Sequence, residues 1–179
     1  LWRSAYWGSM IRFNPTTGAY VKVNGGIDSG GGPKTLAVSV TNGQRYIWAY
    51  RDSAADANDS IIRINADTLA FDTYRLADFG FPAGTVNPND IVYDGTYIWV
   101  AARSGHILRF FADNPNDAAH PAIAMDTVTA DYHCNAYRVL FDGVYVWCLP
   151  GLGLNQMLRI WPENPYPVAD PLYDTRHPN

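Results

Sequence analysis

Residues 98–110 read IWVAARSGHILRF, and the chain opens on a near copy, LWRSAYWGSMIRF (1–13), with Trp and Arg-Phe at the same offsets. Trp2, Trp48, Trp99 and Trp147 are separated by 46, 51 and 48 residues. Behind each stands a second marker: Ile11-Arg12-Phe13, Ile62-Arg63-Ile64, Leu108-Arg109-Phe110 and Leu158-Arg159-Ile160, with arginines 51, 46 and 50 apart. Two markers sharing one register define a repeat of about fifty residues. The units run over 1–35, 36–84, 85–131 and 132–179.

Within a unit the local signals are those of β-hairpins. Thr41-Asn42-Gly43, Tyr93-Asp94-Gly95 and Phe141-Asp142-Gly143 precede the later tryptophans, and Asn-Gly and Asp-Gly supply the positive φ that two-residue hairpin turns require. NDIVYDGTYIWVAA and YRVLFDGVYVWCL thus read as strand, tight turn, strand, and GHILRFF and NQMLRIW as a third strand. A fourth, weaker strand falls at AYVKV, AFDTYRL, AIAMDTV and PYPVADPL.

Four antiparallel strands at this period predict an all-β chain built as a β-propeller, about four blades packed face against face. Burial of both faces accounts for the continuous apolar run Tyr97-Ile98-Trp99-Val100, where a half-solvated sheet would alternate. A sandwich does not require the repeat, and a β-solenoid has shorter coils without tight hairpins. In this register Leu1-Trp2 begins at the second strand of a blade. That leads to the expectation that further blades of the same chain flank this segment within a larger protein.

LWRSAYWGSMIRFNPTTGAYV (1–21) resembles the repeat of the propeller sensor domains in two-component regulators, whose blades carry Leu-Trp, Gly, Arg-Phe and then Asn or Asp, Pro, Thr and Gly. DGTYIWVAARSGHILRF (94–110) is similar to bacterial surface propeller repeats that include the YVTN family and relatives of streptogramin lyase. The resemblance runs through all four units and implies the fold. It does not imply one function, because propellers serve as platforms, scaffolds and enzymes alike.

Composition narrows the classes. A formal net charge of -4, with no basic run, leaves nothing to neutralise a phosphate backbone, so nucleic acid is not an expected partner. No apolar stretch reaches the roughly 18 residues needed to span a bilayer, and no leader pattern opens the chain. Cys134 and Cys148 are too few for a disulfide scaffold. They either pair across the Asp142-Gly143 hairpin or remain thiols.

The recurring Arg12, Arg63, Arg109 and Arg159 invite reading as a ring of anion ligands, but a residue repeated in every unit more commonly joins one blade to the next, for instance by a hydrogen bond to a neighbouring carbonyl. Sites break the repeat. The candidates lie in the loops at the channel end of a propeller, 51–60, 102–106, 150–156, 25–35, 79–90 and 129–138. From these we single out Asn87, Asn89, Asp90, Arg103, His106, Tyr132, His133, Asn135 and Arg138 as binding residues. Tyr6, Trp7, Phe79, Phe81, Tyr132 and Trp161 offer aromatic contact area. Asp52, Asp56, Asn58 and Asp59 present oxygens of the kind Ca²⁺ takes, without the glycine and terminal glutamate of the helix-loop-helix motif. GGIDSGGGPKT (25–35) is not a phosphate loop, because Pro33 intervenes and a strand pattern follows.

No cofactor is expected. The function expected from the sequence is a non-enzymatic module presenting loops to a protein or glycan partner, in an extracellular, cell-surface or virion setting. The alternative is a propeller lyase or hydrolase with His133 as general base. Streptogramin lyase relatives use channel-facing histidine and glutamate, but Glu163 is the only glutamate here.

Overall fold

The computed structural model describes residues 1–5, 9–23, 35–51, 59–79, 88–102, 105–126, 136–151 and 157–163. They form an all-β chain of four antiparallel sheets, none closed on itself, each with its strands side by side in chain order. Sheet one comprises β1 (Trp2–Ala5), β2 (Ser9–Phe13) and β3 (Tyr20–Val23). Sheet two comprises β4 (Leu36–Thr41), β5 (Gln44–Arg51), β6 (Ser60–Asn65) and β7 (Phe71–Arg75). Sheet three holds β8 (Pro88–Tyr93), β9 (Tyr97–Ala102), β10 (His106–Phe111) and β11 (Ile123–Asp126). Sheet four holds β12 (Ala136–Phe141), β13 (Val146–Pro150) and β14 (Leu158–Ile160). The expected fourth strand at PYPVADPL lies outside the described residues.

The turns explain the meanders, and one differs from the sequence expectation. Asn42 and Gly43 have φ of 50° and 72° and are the two central residues between paired Thr41 and Gln44, as a two-residue Asn-Gly hairpin requires. The Asp-Gly turns are shifted by one position. Asp94 N–H donates to the Tyr97 carbonyl, and Asp142 N–H to that of Tyr145, so the central pairs are Gly95-Thr96 and Gly143-Val144. The aspartate is left free to act as an acceptor. Asp94 Oδ1 takes the amides of Thr96 and Tyr97, and Oδ2 takes the Trp99 indole N–H at 2.6 Å. Asp142 does the same for Val144, Tyr145 and Trp147. In sheet two Trp48 Nε1–H instead donates to Ser39 Oγ.

After β2 in sheet one and β6 in sheet two the chain makes the same turn. Asn14 Oδ1 accepts from Thr16 and Thr17, and Asn65 Oδ1 from Asp67 and Thr68. The left-handed residue that ends it is Gly18 in one and Leu69, at φ 65°, in the other.

The sheets stack face on face in chain order, with one apolar core between each neighbouring pair. Met10 and Val23 of sheet one meet Ile47, Ala49, Ile62 and Ile64 of sheet two. The opposite face of sheet two, with Trp48, Tyr50 and Ile61, meets Ile98, Val100, Leu108 and Phe110 of sheet three. Trp99, Ala101 and Ile107, on the far face of sheet three, meet Val139, Val146, Cys148, Leu158 and Ile160 of sheet four. Sheets two and three are therefore covered on both sides, the physical reason that Ile98, Trp99 and Val100 are apolar without alternation. Between neighbouring sheets the close approaches gather on the first strands, β4 against β8 and β8 against β12. Phe79, expected as an exposed contact, is core: it closes a 3₁₀ turn (Leu76–Phe79) and stacks on Phe110 at 5.5 Å. Cys148 is buried between sheets three and four, and Cys134 lies outside the described residues.

Candidate functional site

The repeated residues come first, because their placement decides which side chains remain for binding. In every sheet the marker Trp and Arg are direct cross-strand partners: Trp2 with Arg12, Trp48 with Arg63, Trp99 with Arg109 and Trp147 with Arg159. Each guanidinium of the last three lies over an aromatic ring of its own sheet, Arg63 over Tyr46 at 4.9 Å, Arg109 over Tyr97 at 4.2 Å and Arg159 over Tyr145 at 4.8 Å. From there the arginine reaches the next sheet. Arg12 donates to the Ala66 carbonyl at 2.8 Å, Arg63 to that of Asp113 at 2.9 Å and Arg109 to that of Pro162 at 2.6 Å. The acceptor lies just beyond the third strand each time. These three arginines join sheet to sheet, as the repeat argument anticipates. Arg63 also holds Asp72 at 2.8 Å, and burial pushes the neighbouring Tyr74 phenol up to about 12 against the lowering pull of Arg63.

The opposite end of the sheets carries the candidates. Strand register sets Pro88, Ala102, His106 and Asp126 of sheet three side by side there, and Ala136 beside Pro150 in sheet four. Asn89, Asp90 and Arg138, expected in loops, belong instead to the first strands β8 and β12. Both strands are bulged at matching points, between Pro88 and Asp90 and between Ala136 and Arg138. A bulge adds an unpaired residue and re-aims its neighbours. Here the bulges place Asn89 against the next sheet: its buried amide donates to the Tyr137 carbonyl at 2.7 Å. Asp90 Oδ2 accepts the Val139 amide at 3.1 Å, and Oδ1 lies 3.9 Å from Arg138 Nη1. Asn89 and Asp90 thus tie β8 to β12, while the Arg138 side chain is half exposed.

His106 is half-buried at the start of β10. Tyr137, absent from the sequence candidates, stands exposed at the second bulge with the Arg138 guanidinium 5.6 Å from its ring. Superposing the two Asp-Gly turns sets Tyr137 opposite Asn89, which is the signal that would have found it. Trp161 is half-buried, edge-on to Tyr145 at 5.3 Å.

Asn87, Arg103, Tyr132, His133 and Asn135 lie outside the described residues, as do Asp52, Asp56 and Asn58 and the aromatic residues Tyr6, Trp7 and Phe81. Asp59 is described; it is buried, and its carbonyl accepts the Leu76 amide. Among the described residues no group of three His, Cys, Asp or Glu side chains is placed to hold a metal ion, and no helix is long and apolar enough to cross a membrane.

The larger hollows are elsewhere. One of about 620 Å³ is lined by Trp2, Arg12, Phe13 and Asp67, and one of about 500 Å³ by Leu1, Ile11, Phe13 and Tyr20. The first lies at the seam between sheets one and two, and the second on sheet one, whose outer face has no neighbouring sheet among the described residues. At the first-strand end the described residues offer a guanidinium, a phenol and an imidazole on rigid strands, chemistry suited to hydrogen bonding and stacking. No protein-family model matches the chain, and no curated relative matches it.

Proposed function

We propose that the chain is a propeller segment acting as a non-enzymatic binding and scaffold module, which offers the first-strand end of its sheets to a protein or glycan partner in an extracellular, cell-surface or virion setting. The observation that carries this reading is a division of labour. The recurrent Arg12, Arg63 and Arg109 and the aspartates 94 and 142 are engaged within the framework, whereas Tyr137, Arg138 and His106 break the repeat and gather at one end. The convergence of the sheets on β4, β8 and β12 supports a radial arrangement with those strands innermost. Exposed Tyr and Arg on a rigid support give contact area at little entropic cost.

The test is binding of the labelled chain to a printed glycan array and to surface proteins in pull-down. His106→Ala, Tyr137→Ala and Arg138→Ala together should abolish the strongest signal while stability moves little, each surface change contributing within roughly 0.5 kcal/mol. Undiminished binding by that triple variant would refute the assignment of this end as the binding face.

A further inference from the structure

Asn42 and Gly43 are the one Asn-Gly pair among the described residues, and both are exposed at the tip of the β4–β5 hairpin. An asparagine followed by glycine is chemically labile, because the next backbone nitrogen can attack the side-chain Cγ and glycine has no Cβ to hinder the approach. In the folded chain the Asn42 side chain is engaged elsewhere. Its Nδ2–H donates to Asp113 Oδ1 at 2.6 Å, reaching from sheet two to the residues that follow β10 of sheet three. Asp113 also accepts Arg63 through its backbone carbonyl at 2.9 Å. Sheet two therefore holds Asp113 twice, once through a guanidinium and once through an amide that hydrolysis can convert.

We propose that Asn42 is a deamidation site guarded by Asp113, and that its conversion releases the β4–β5 hairpin from sheet three. The Gly43 nitrogen gives its proton to solvent hydroxide and bonds to Asn42 Cγ, while the Cγ–Nδ2 bond breaks and ammonia leaves with a proton taken from water. A water molecule then opens the succinimide ring, leaving aspartate or isoaspartate at position 42.

While Asp113 holds the amide, Cγ is not free to swing onto the Gly43 nitrogen, and the reaction waits on release of that bond. A net hydrogen bond slows it by about tenfold. After conversion two carboxylates face each other where an amide met a carboxylate, and like charges so close cannot keep the contact. Asn42 and Asp113 are both exposed, so the repulsion is weakened by salt. The Arg63 bond to the Asp113 carbonyl does not involve either carboxylate. The sheets stay stacked, and the change is confined to the hairpin.

The test is peptide mapping of the full chain during incubation at mildly alkaline pH. Trypsin releases residues 35–45, TLAVSVTNGQR, in which Asn42 is the only asparagine, so its conversion is read apart from that of Asn24-Gly25, which lies outside the described residues. The urea-unfolded chain should convert fastest, Asp113→Ala next and the wild type slowest, about tenfold behind Asp113→Ala. Asp113→Ala keeps the carbonyl that takes Arg63, and near-ultraviolet circular dichroism confirms that the variant is folded. Asp113→Asn supplies the second arm, because its amide can donate to a carboxylate at position 42. Asn42→Asp, which reproduces the aspartate product, should lower the urea midpoint at low salt in the wild-type background and leave it unchanged in the Asp113→Asn background. Equal conversion rates for the wild type and Asp113→Ala, or a folded Asp113→Ala chain that never converts while the unfolded chain does, would overturn the guarded site. An Asn42→Asp change that lowers the midpoint equally in both backgrounds, or in neither, would overturn the release of the hairpin.

Discussion

Replacing Arg63 by Met keeps an unbranched stem in the same slot and removes the charge and its donors, which makes it the sharpest test of how the sheets are joined. Three interactions are lost. The hydrogen bond from Nη1 to the Asp113 carbonyl spans 2.9 Å, and a bond to a charged donor contributes about 1.5–3 kcal/mol. Because the site is exposed and water can replace the donor, the low end applies. The guanidinium also lies 4.9, 5.7 and 5.6 Å from the rings of Tyr46, Trp48 and Tyr74. Cation–π contact at a partly exposed site adds about 0.5–1 kcal/mol. The pair with Asp72, whose carboxylate is 55% exposed, contributes less than about 1 kcal/mol after solvent screening. The expected loss is about 2–3 kcal/mol, read as a lower urea midpoint by tryptophan fluorescence. It corresponds to a fall in Tm of roughly 5–10 °C for a chain of this size. Asp72→Asn alone should cost under about 1 kcal/mol. Arg63→Met within about 0.5 kcal/mol of the wild type, the range of ordinary surface changes, would refute the idea that the recurrent arginine joins the sheets.

Two further outcomes follow from the Asp-Gly turns. Gly95 has φ of 106° with open space where a Cβ would stand, so Gly95→Ala should cost about 1–2 kcal/mol from backbone strain alone, and an unchanged urea midpoint would contradict the turn geometry. The Asp142 carboxylate is held below its ordinary value of 3.8 by the Tyr145 amide, then the Trp147 indole and the Val144 amide. Its proton therefore binds more weakly in the folded state than in the unfolded chain. Its stabilising contribution is complete above the unfolded value and is lost as pH falls through the lowered folded value. Melting curves recorded through that acid range should fall more steeply for the wild type than for Asp142→Asn; parallel curves would show that the carboxylate does not hold the turn.

What the sequence determined by itself was the periodic framework. Spacing located four units, turn dipeptides located the hairpins, and Arg12, Arg63 and Arg109 were legible as unit-to-unit ties because they recur in register. Those features are local or repeat-averaged, so linear order is enough to expose them. The tertiary structure decided where the pattern shifts by a single residue. Whether Gly95 is the first or second central residue depends on pairing across the hairpin, which the dipeptide does not encode. The bulges that draw Asn89 and Asp90 into the β8–β12 contact, and leave Tyr137 exposed, depend on how the first strands of neighbouring sheets meet. The burial of Phe79 is likewise not legible in its loop sequence, because its neighbour Phe110 is 31 residues away and on another sheet. The full burial of Trp48 and Trp99 is likewise tertiary, since each becomes core through the sheet that lies over it.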